Sequence, residues 1–271
     1  MRQVITVSES LHIQAGKLVL MARLKAEERL RGGLAFLLMD VSLRLFAVVP
    51  LLFLWRGIFA SGSASDLGLT LEQLLSYTLL SAILREQLLV QTPASEWLYQ
   101  GLFLSLYQRP MGVFTQIVAL TVGGWMPNLL LCSLPMALVG PLFGIRTLPV
   151  NSLFALSLLL SITVGFAIDL MFACLLIRMQ RMSWIVTSIR RAVMTFFSGS
   201  LIPFAAFPWG IGDWMQYSPF GALAGAPLAI AVGSSQSKVL ILSQLLWCIV
   251  LWPSLFHVFK HTRNQMMSYG G

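Results

Sequence analysis

Apolar residues run along this chain in long uninterrupted blocks, separated by short polar and charged breaks. Six blocks have about the length, roughly 20 residues, that a helix needs to cross the hydrocarbon core of a bilayer. They cover approximately residues 34–59, 71–90, 112–142, 152–177, 189–207 and 239–259. None shows the roughly 10-residue alternation of an outer-membrane barrel strand, so the predicted spans are helices. The third is longer than a crossing requires and contains Gly123, Gly124, Pro127 and Pro135, which predicts tilt or a kink.

Three segments between and before these blocks break the pattern informatively. Residues 8–31 place Leu11, Ala15, Leu18, Ala22 and Ala26 at helical spacing, with charge densest toward the C-terminal end. This predicts an amphipathic helix at the cytoplasmic membrane surface, the alternative being a solvated helix packed on a partner. Between the second and third spans, "TPASEWLYQGLFLSLYQRPMG" spaces Trp97, Gly101, Leu106 and Arg109 helically, and Pro110 stops the helix. Such a helix is either a passive connector or a docking element. Residues 196–235 are apolar and aromatic yet interrupted by Pro203, Pro208, Pro219 and Pro227. They are too broken for a straight span and too apolar for a solvated loop. Short re-entrant helices in the outer leaflet fit both constraints, against an aromatic belt around Trp209 and Trp214.

Composition sharpens this reading. With 57% hydrophobic residues, 10% charged and a mean hydropathy of +0.81, the chain lies far from the roughly 25% charge of soluble domains. The expected fold is an all-α integral membrane protein. Residues 1–33 form the N-terminal interfacial helix and residues 34–271 a single six-span domain. The start of the chain lacks a signal-peptide pattern, so insertion by the first span is expected. The net charge of +8 needs no nucleic acid to explain it. With a cytoplasmic N-terminus, thirteen Lys and Arg fall on the inner side, from Arg2 through Arg109 and Arg178 to Arg263. Only Arg56, Arg146 and Lys238 fall outside, a strong positive-inside bias with both termini cytoplasmic.

Catalytic chemistry is poorly represented. "QAGKLV" has a Gly-Lys pair but neither the first Gly nor the hydroxyl residue of a phosphate-binding loop. His12, His257 and His261 form no metal-ligand pattern, and Cys132, Cys174 and Cys248 show no CxxC spacing. Ser200 lies in "FSGSLIP", which is not a GxSxG elbow. No enzyme activity and no bound cofactor or metal are expected. Ionisable residues inside spans are more informative, because each costs several kcal/mol unless paired or wetted. Asp40 and Arg44 share a helical face and can pair; Arg85 and Glu86 lie near the inner end of the second span. Asp169, deep in the fourth span, needs a partner from another helix, with Arg44 one candidate. Asp40, Arg44 and Asp169 are therefore either structural pairs or part of a translocation path.

Two segments together resemble the permease subunits of ABC transporters of the ABC-2 type. Gly101, Leu106, Arg109 and Pro110 match the family's "G…L…RP" segment after the second span. Phe196, Phe197, Ser198, Gly199, Leu201, Ile202, Pro203, Phe207 and Pro208 match its "FFSGxLIPxxxFP" segment. "YSPFGALAGAPLAIAVG" resembles the stretch leading to the sixth span, and the correspondence of span count and motif order covers nearly the whole chain. Family members often carry an acidic residue shortly after the Gly, where this chain has Leu102, Phe103 and Leu104. The resemblance implies a transmembrane half-transporter of a bacterial inner membrane, working as a dimer with an identical or sister permease. ATP and magnesium would be bound by a separate cytoplasmic ATPase subunit. Glu96, Trp97, Gly101, Leu106, Arg109 and Pro110 would belong to the helix that couples to it. Phe197, Gly199, Pro203, Pro208 and Pro219 would form the outer gate region, and the path would be lined mainly by spans one, two and five. The expected cargo is hydrophobic or amphipathic and moves outward. The main alternative is a stand-alone secondary transporter or channel, for which no inverted repeat or paired broken helices can be found.

Overall fold

The computed structural model describes residues 2–62, 68–94, 104–178 and 183–269, and among these the regular structure is entirely helical. Helix α1 (Arg2–Leu30) leads through a two-residue turn into α2 (Gly33–Ala60). The capping box of Thr70 and Gln73 starts α3 (Leu71–Ile83), and a break at Leu84 separates it from the single turn α4 (Arg85–Leu88). After the short turn α5 (Leu104–Tyr107) comes α6 (Val113–Asn128), which continues through a π turn at Leu129–Ser133 into α7 (Leu134–Val139) and a 3-10 turn at Gly140–Phe143. The irregularity expected in this segment follows from Pro127. It has no N–H to return to the carbonyl four residues earlier, and its ring crowds that carbonyl. Helices α8 (Leu153–Arg178), α9 (Ser183–Phe197) and α12 (Ser237–Tyr269) complete the long elements. Between the last two lie α10 (Ile211–Met215) and α11 (Gly225–Ala231).

Four segments are long and apolar enough to cross a membrane: Leu38–Ala60, Val113–Phe143, Leu153–Leu176 and Ser237–Thr262. The chain thus has the character of a helical membrane protein. The second and fifth spans expected from the sequence differ from single long helices. The second is divided at Leu84 into 13-residue and 4-residue pieces. The fifth begins earlier, at Ser183, and ends after 15 residues at Phe197. Its end is set by Gly199, whose φ of 76° is a left-handed conformation that costs glycine little.

The long helices pack in two groups. α8 lies along α12, and α6 joins them through Ile117, Ala167, Leu170 and Leu255. α2 and α3 pack with α7 through Val48, Leu75, Leu79 and Met136. Helix α1 lies along α6 so closely that Gly123 faces the backbone of Ala22 and has no room for a side chain. One part of its surface is therefore covered by this chain, while Val19, Leu20 and Leu24 stay exposed.

The interrupted segment after α9 divides its roles. Phe204–Ala206 and Pro208–Gly210 are 3-10 turns, and Trp209 and Trp214 beside them are 90% and 84% exposed. Further on, Ala226, Leu228, Ile230 and Ala231 of α11 are buried against α3, α8 and α12. Gln244 Nε2 donates to the Ala222 carbonyl at 2.9 Å and Trp247 Nε1 to the Tyr217 carbonyl at 2.8 Å, so α12 pins this segment in place.

Candidate functional site

The one-turn spacing of Asp40 and Arg44 brings them together on α2, with Arg44 Nε donating to Asp40 Oδ2 at 2.9 Å. Arg44 Nη2 reaches across to α4 and donates to Glu86 Oε1, also at 2.9 Å. Asn128 Nδ2 donates to the same Glu86 oxygen at 3.1 Å, and Arg29 Nη1 lies 3.6 Å from its other oxygen. Arg29 also donates to the Gly124 carbonyl at 2.7 Å. Four helices, α1, α2, α4 and α6, thus meet at one carboxylate. The break at Leu84 and the π turn frame this meeting: Ser133 Oγ donates to the Ile83 carbonyl at 2.6 Å, directly before the break. π turns inside helices are frequent at functional sites.

Asp169 lies elsewhere, and the sequence-level guess of Arg44 as its partner is incorrect. Its carboxylate is fully buried, with Oδ1 2.5 Å from Arg190 Nη2 and Oδ2 accepting from the Thr92 N–H at 2.7 Å. Arg190 Nη2 also donates to the Val90 carbonyl at 2.7 Å. This pair ties α8 and α9 to the chain just beyond α4. Arg44 is instead committed to Asp40 and Glu86, with its side chain 4% exposed.

Beside the four-helix meeting point, a cleft of about 150 Å³ opens between α2, α3 and α9. Arg44 and Arg85 line it together with Thr78, Ser81, Thr195 and Ser200. A larger groove of about 400 Å³ lies between α2 and the α6–α7 region, walled by Leu45, Val49, Phe53, Pro135 and Val139. Its lining is almost wholly apolar, with Arg56 at one margin.

The remaining expected site residues occupy separate places. Leu106 is 2% exposed and packs with Ala94, Ile117 and Leu255, whereas Arg109 and Pro110 are exposed. Gln116 Nε2 braces this turn by donating to the carbonyls of Leu106 and Met111 at 2.9 and 3.0 Å. Arg109 Nη1 stands 4.0 Å from Met21 Sδ on α1. Glu96, Trp97 and Gly101 lie outside the described residues. In the "FFSGS" turn, Phe197 is exposed and Gly199 and Pro203 are buried, while Pro208 is exposed and Pro219 half-buried. Tyr77 Oη donates to the Gly199 carbonyl at 2.6 Å and Ser81 Oγ to the Ser200 carbonyl at 2.5 Å, so α3 clasps this turn. Among the described residues no cluster of His, Cys, Asp or Glu could hold a metal ion.

Sequence reasoning did not single out Asn128, Gln116 or Arg190 as site residues, and it placed Glu86 only near the inner end of the second span. For Arg190 a signal existed: a buried aspartate requires a cation, and few arginines lie within or beside the spans. These features define a helical membrane protein with two ionic clusters inside its bundle. No protein-family model, curated protein or solved structure matches the chain.

Proposed function

We propose that this protein is the transmembrane permease subunit of an ATP-driven exporter, as its resemblance to ABC-2-type permeases implies. The observation that carries the reading is that one resembling segment is held by the element that precedes the other along the chain. The "FFSGS" turn is clasped by Tyr77 and Ser81 on α3, and α3 leads through the Leu84 break toward the segment that ends at Arg109–Pro110. In this reading, movement imposed at the Arg-Pro turn passes along the chain to α3 and so to the turn that α3 clasps.

In this reading six segments cross the membrane, with the broken α3–α4 and the short α9 as the second and fifth. Charge favours six crossings over four. Four would move Arg109, Arg178 and Arg181 to the outer face, against the positive-inside bias. Both termini are cytoplasmic, and α1, packed along α6, turns Val19, Leu20 and Leu24 to the lipid near the inner surface. An ATPase subunit docks on the segment around Arg109 and Pro110, anchored from within by Leu106, and on the adjacent part of α1. ATP binding draws two ATPases together, and the two permeases move as rigid halves. Spans one, two and five line the path for a hydrophobic or amphipathic cargo, and Asp40 and Arg44 border it. The short helices after α9 dip into the outer leaflet and form the outer gate. The setting is a bacterial inner membrane.

Mild extraction of the tagged chain from its native host, with mass identification of what co-elutes, tests this reading. An ATP-binding subunit should accompany it, with or without a second permease. A solitary chain, confirmed in lipid, would overturn the assignment. Once the ATPase is in hand, Arg109→Ala should leave insertion intact while uncoupling ATP hydrolysis from transport.

A further inference from the structure

The cleft between α2, α3 and α9 carries a charge imbalance that its own residues leave open. Two guanidiniums, of Arg44 and Arg85, line it, and no carboxylate does. Arg44 commits Nε to Asp40 and Nη2 to Glu86, and its buried Nη1 has no hydrogen-bond partner. A buried charged donor without an acceptor is costly, so this nitrogen favours any acceptor that reaches it. Arg85 is exposed at the same cleft, and no ion pair to it occurs among the described residues. Thr78, Ser81 and Ser200 on the wall already donate their hydroxyls to the carbonyls of Leu74, Ser200 and Thr195, so the guanidiniums are its charged donors, and Val48, Leu51 and Leu201 make it apolar elsewhere. Two guanidiniums without a lining carboxylate, beside an apolar flank, are the chemistry of an anionic headgroup joined to a tail.

We propose that this cleft binds the phosphate headgroup of an anionic amphipathic molecule. Arg44 Nη1 and Arg85 would donate to the phosphate, and Val48, Leu51 and Leu201 would lie against the start of the tail. At about 150 Å³ the cleft is smaller than the roughly 300–1,000 Å³ of sites that enclose whole drug-sized ligands. It therefore admits the head and the first part of the tail, leaving the rest of the tail in lipid. Naming this molecule as cargo rests on the permease reading; its binding does not.

The test uses the purified full chain, without an ATPase, titrated by native mass spectrometry. The probes are dioleoyl-phosphatidylglycerol, dioleoyl-phosphatidylcholine with the same tails, and inorganic phosphate as the head alone. The anionic lipid should bind about tenfold more tightly than the zwitterionic one, and inorganic phosphate far more weakly than either. Arg85→Gln should bring the lipid preference to within about twofold, and Arg85→Lys should keep most of it, since Lys retains the charge but not the planar fork. Arg85 is exposed, so neither variant threatens the fold. Arg191→Gln, which removes an exposed arginine of α9 outside the cleft, should leave the preference unchanged. Equal binding of the two lipids would overturn the proposal. So would equal loss in Arg191→Gln and Arg85→Gln, which would mean general attraction to a basic surface. Phosphate binding as tightly as the anionic lipid would mean a simple ion site, and would also overturn it. An absent ATP-binding subunit in native extracts would count against the permease reading alone.

Discussion

The two ionic clusters of this bundle are built from the same residue types and do different things. Asp169 and Arg190 form a one-to-one pair, with the aspartate wholly buried and further held by the Thr92 N–H. Its charges cancel, and its links to residues 90–92 fix the chain between α4 and the following segment. The cluster around Glu86 gathers charge from α1, α2 and α4, stays partly exposed at Asp40 and Glu86, and leaves Arg44 Nη1 without an acceptor. With Arg85 alongside, it carries one more cation than anions. The Asp169–Arg190 pair also leaves a buried nitrogen, Arg190 Nε, without an acceptor, so the two clusters differ in charge balance and exposure: a balanced, buried pair holds a helical fold together. An unbalanced, open one is where a charged ligand can act.

Substitutions can break or sharpen this contrast. The largest effect should come from Asp169→Ala, which strands Arg190 in the bundle. Losing one partner of a buried pair costs about 3–5 kcal/mol, which should appear as lost monodisperse protein and a sharply lowered Tm in detergent. Replacing both, as Asp169→Leu with Arg190→Met, should recover most of that loss, because buried pairs are often replaceable by packed apolar residues.

Next in size is Gly199→Ala. The left-handed backbone costs roughly 1–2 kcal/mol for a residue with a Cβ. The added atom would also stand 2.9 Å from the Phe204 ring. Its Tm should fall by less than that of Asp169→Ala. Glu86→Gln should cost about 1–3 kcal/mol, because Arg44 keeps Asp40 and Arg29 keeps the Gly124 carbonyl. If Glu86→Gln proved as damaging as Asp169→Ala, the two clusters would not differ in kind. The smallest change belongs to Arg23→Gln on α1, whose exposed pair with Glu27 is worth less than about 1 kcal/mol. Its Tm should be nearly unchanged.

Much of the fold was legible because bilayer-length apolar blocks leave little choice of conformation. The four long segments lie where the hydrophobic pattern places them, and the Asp40–Arg44 pair followed from one-turn spacing. The breaks were not legible. Nothing local in "AILREQLL" marks Leu84 as the point where the helix stops, since the break is stabilised by Ser133 from a distant helix. That Asp169 needs a cation was legible, but not which one. The choice depends on how α8 and α9 are placed, and a residue 21 positions away has no helical register with the aspartate. The apolar character of residues 196–235 was evident, but not its division into an exposed Trp209–Trp214 portion and a buried α11. That division depends on which turns α12 reaches with Gln244 and Trp247.

Asp40, Arg44 and Asp169 lie in segments long and apolar enough to cross a membrane, and the permease reading further requires that the broken α3–α4 and the short α9 each make a crossing. Six crossings and four crossings agree at the two ends of the chain but place residues 108 and 148 on opposite faces. The direct measurement replaces Cys132, Cys174 and Cys248 with Ala, adds either Gln108→Cys or Leu148→Cys, and labels right-side-out vesicles with a membrane-impermeant maleimide. Both positions are exposed in the fold. With six crossings, position 148 labels in sealed vesicles and position 108 only after permeabilisation. Labelling of position 108 in sealed vesicles, with position 148 protected, would contradict six crossings and with them the permease topology.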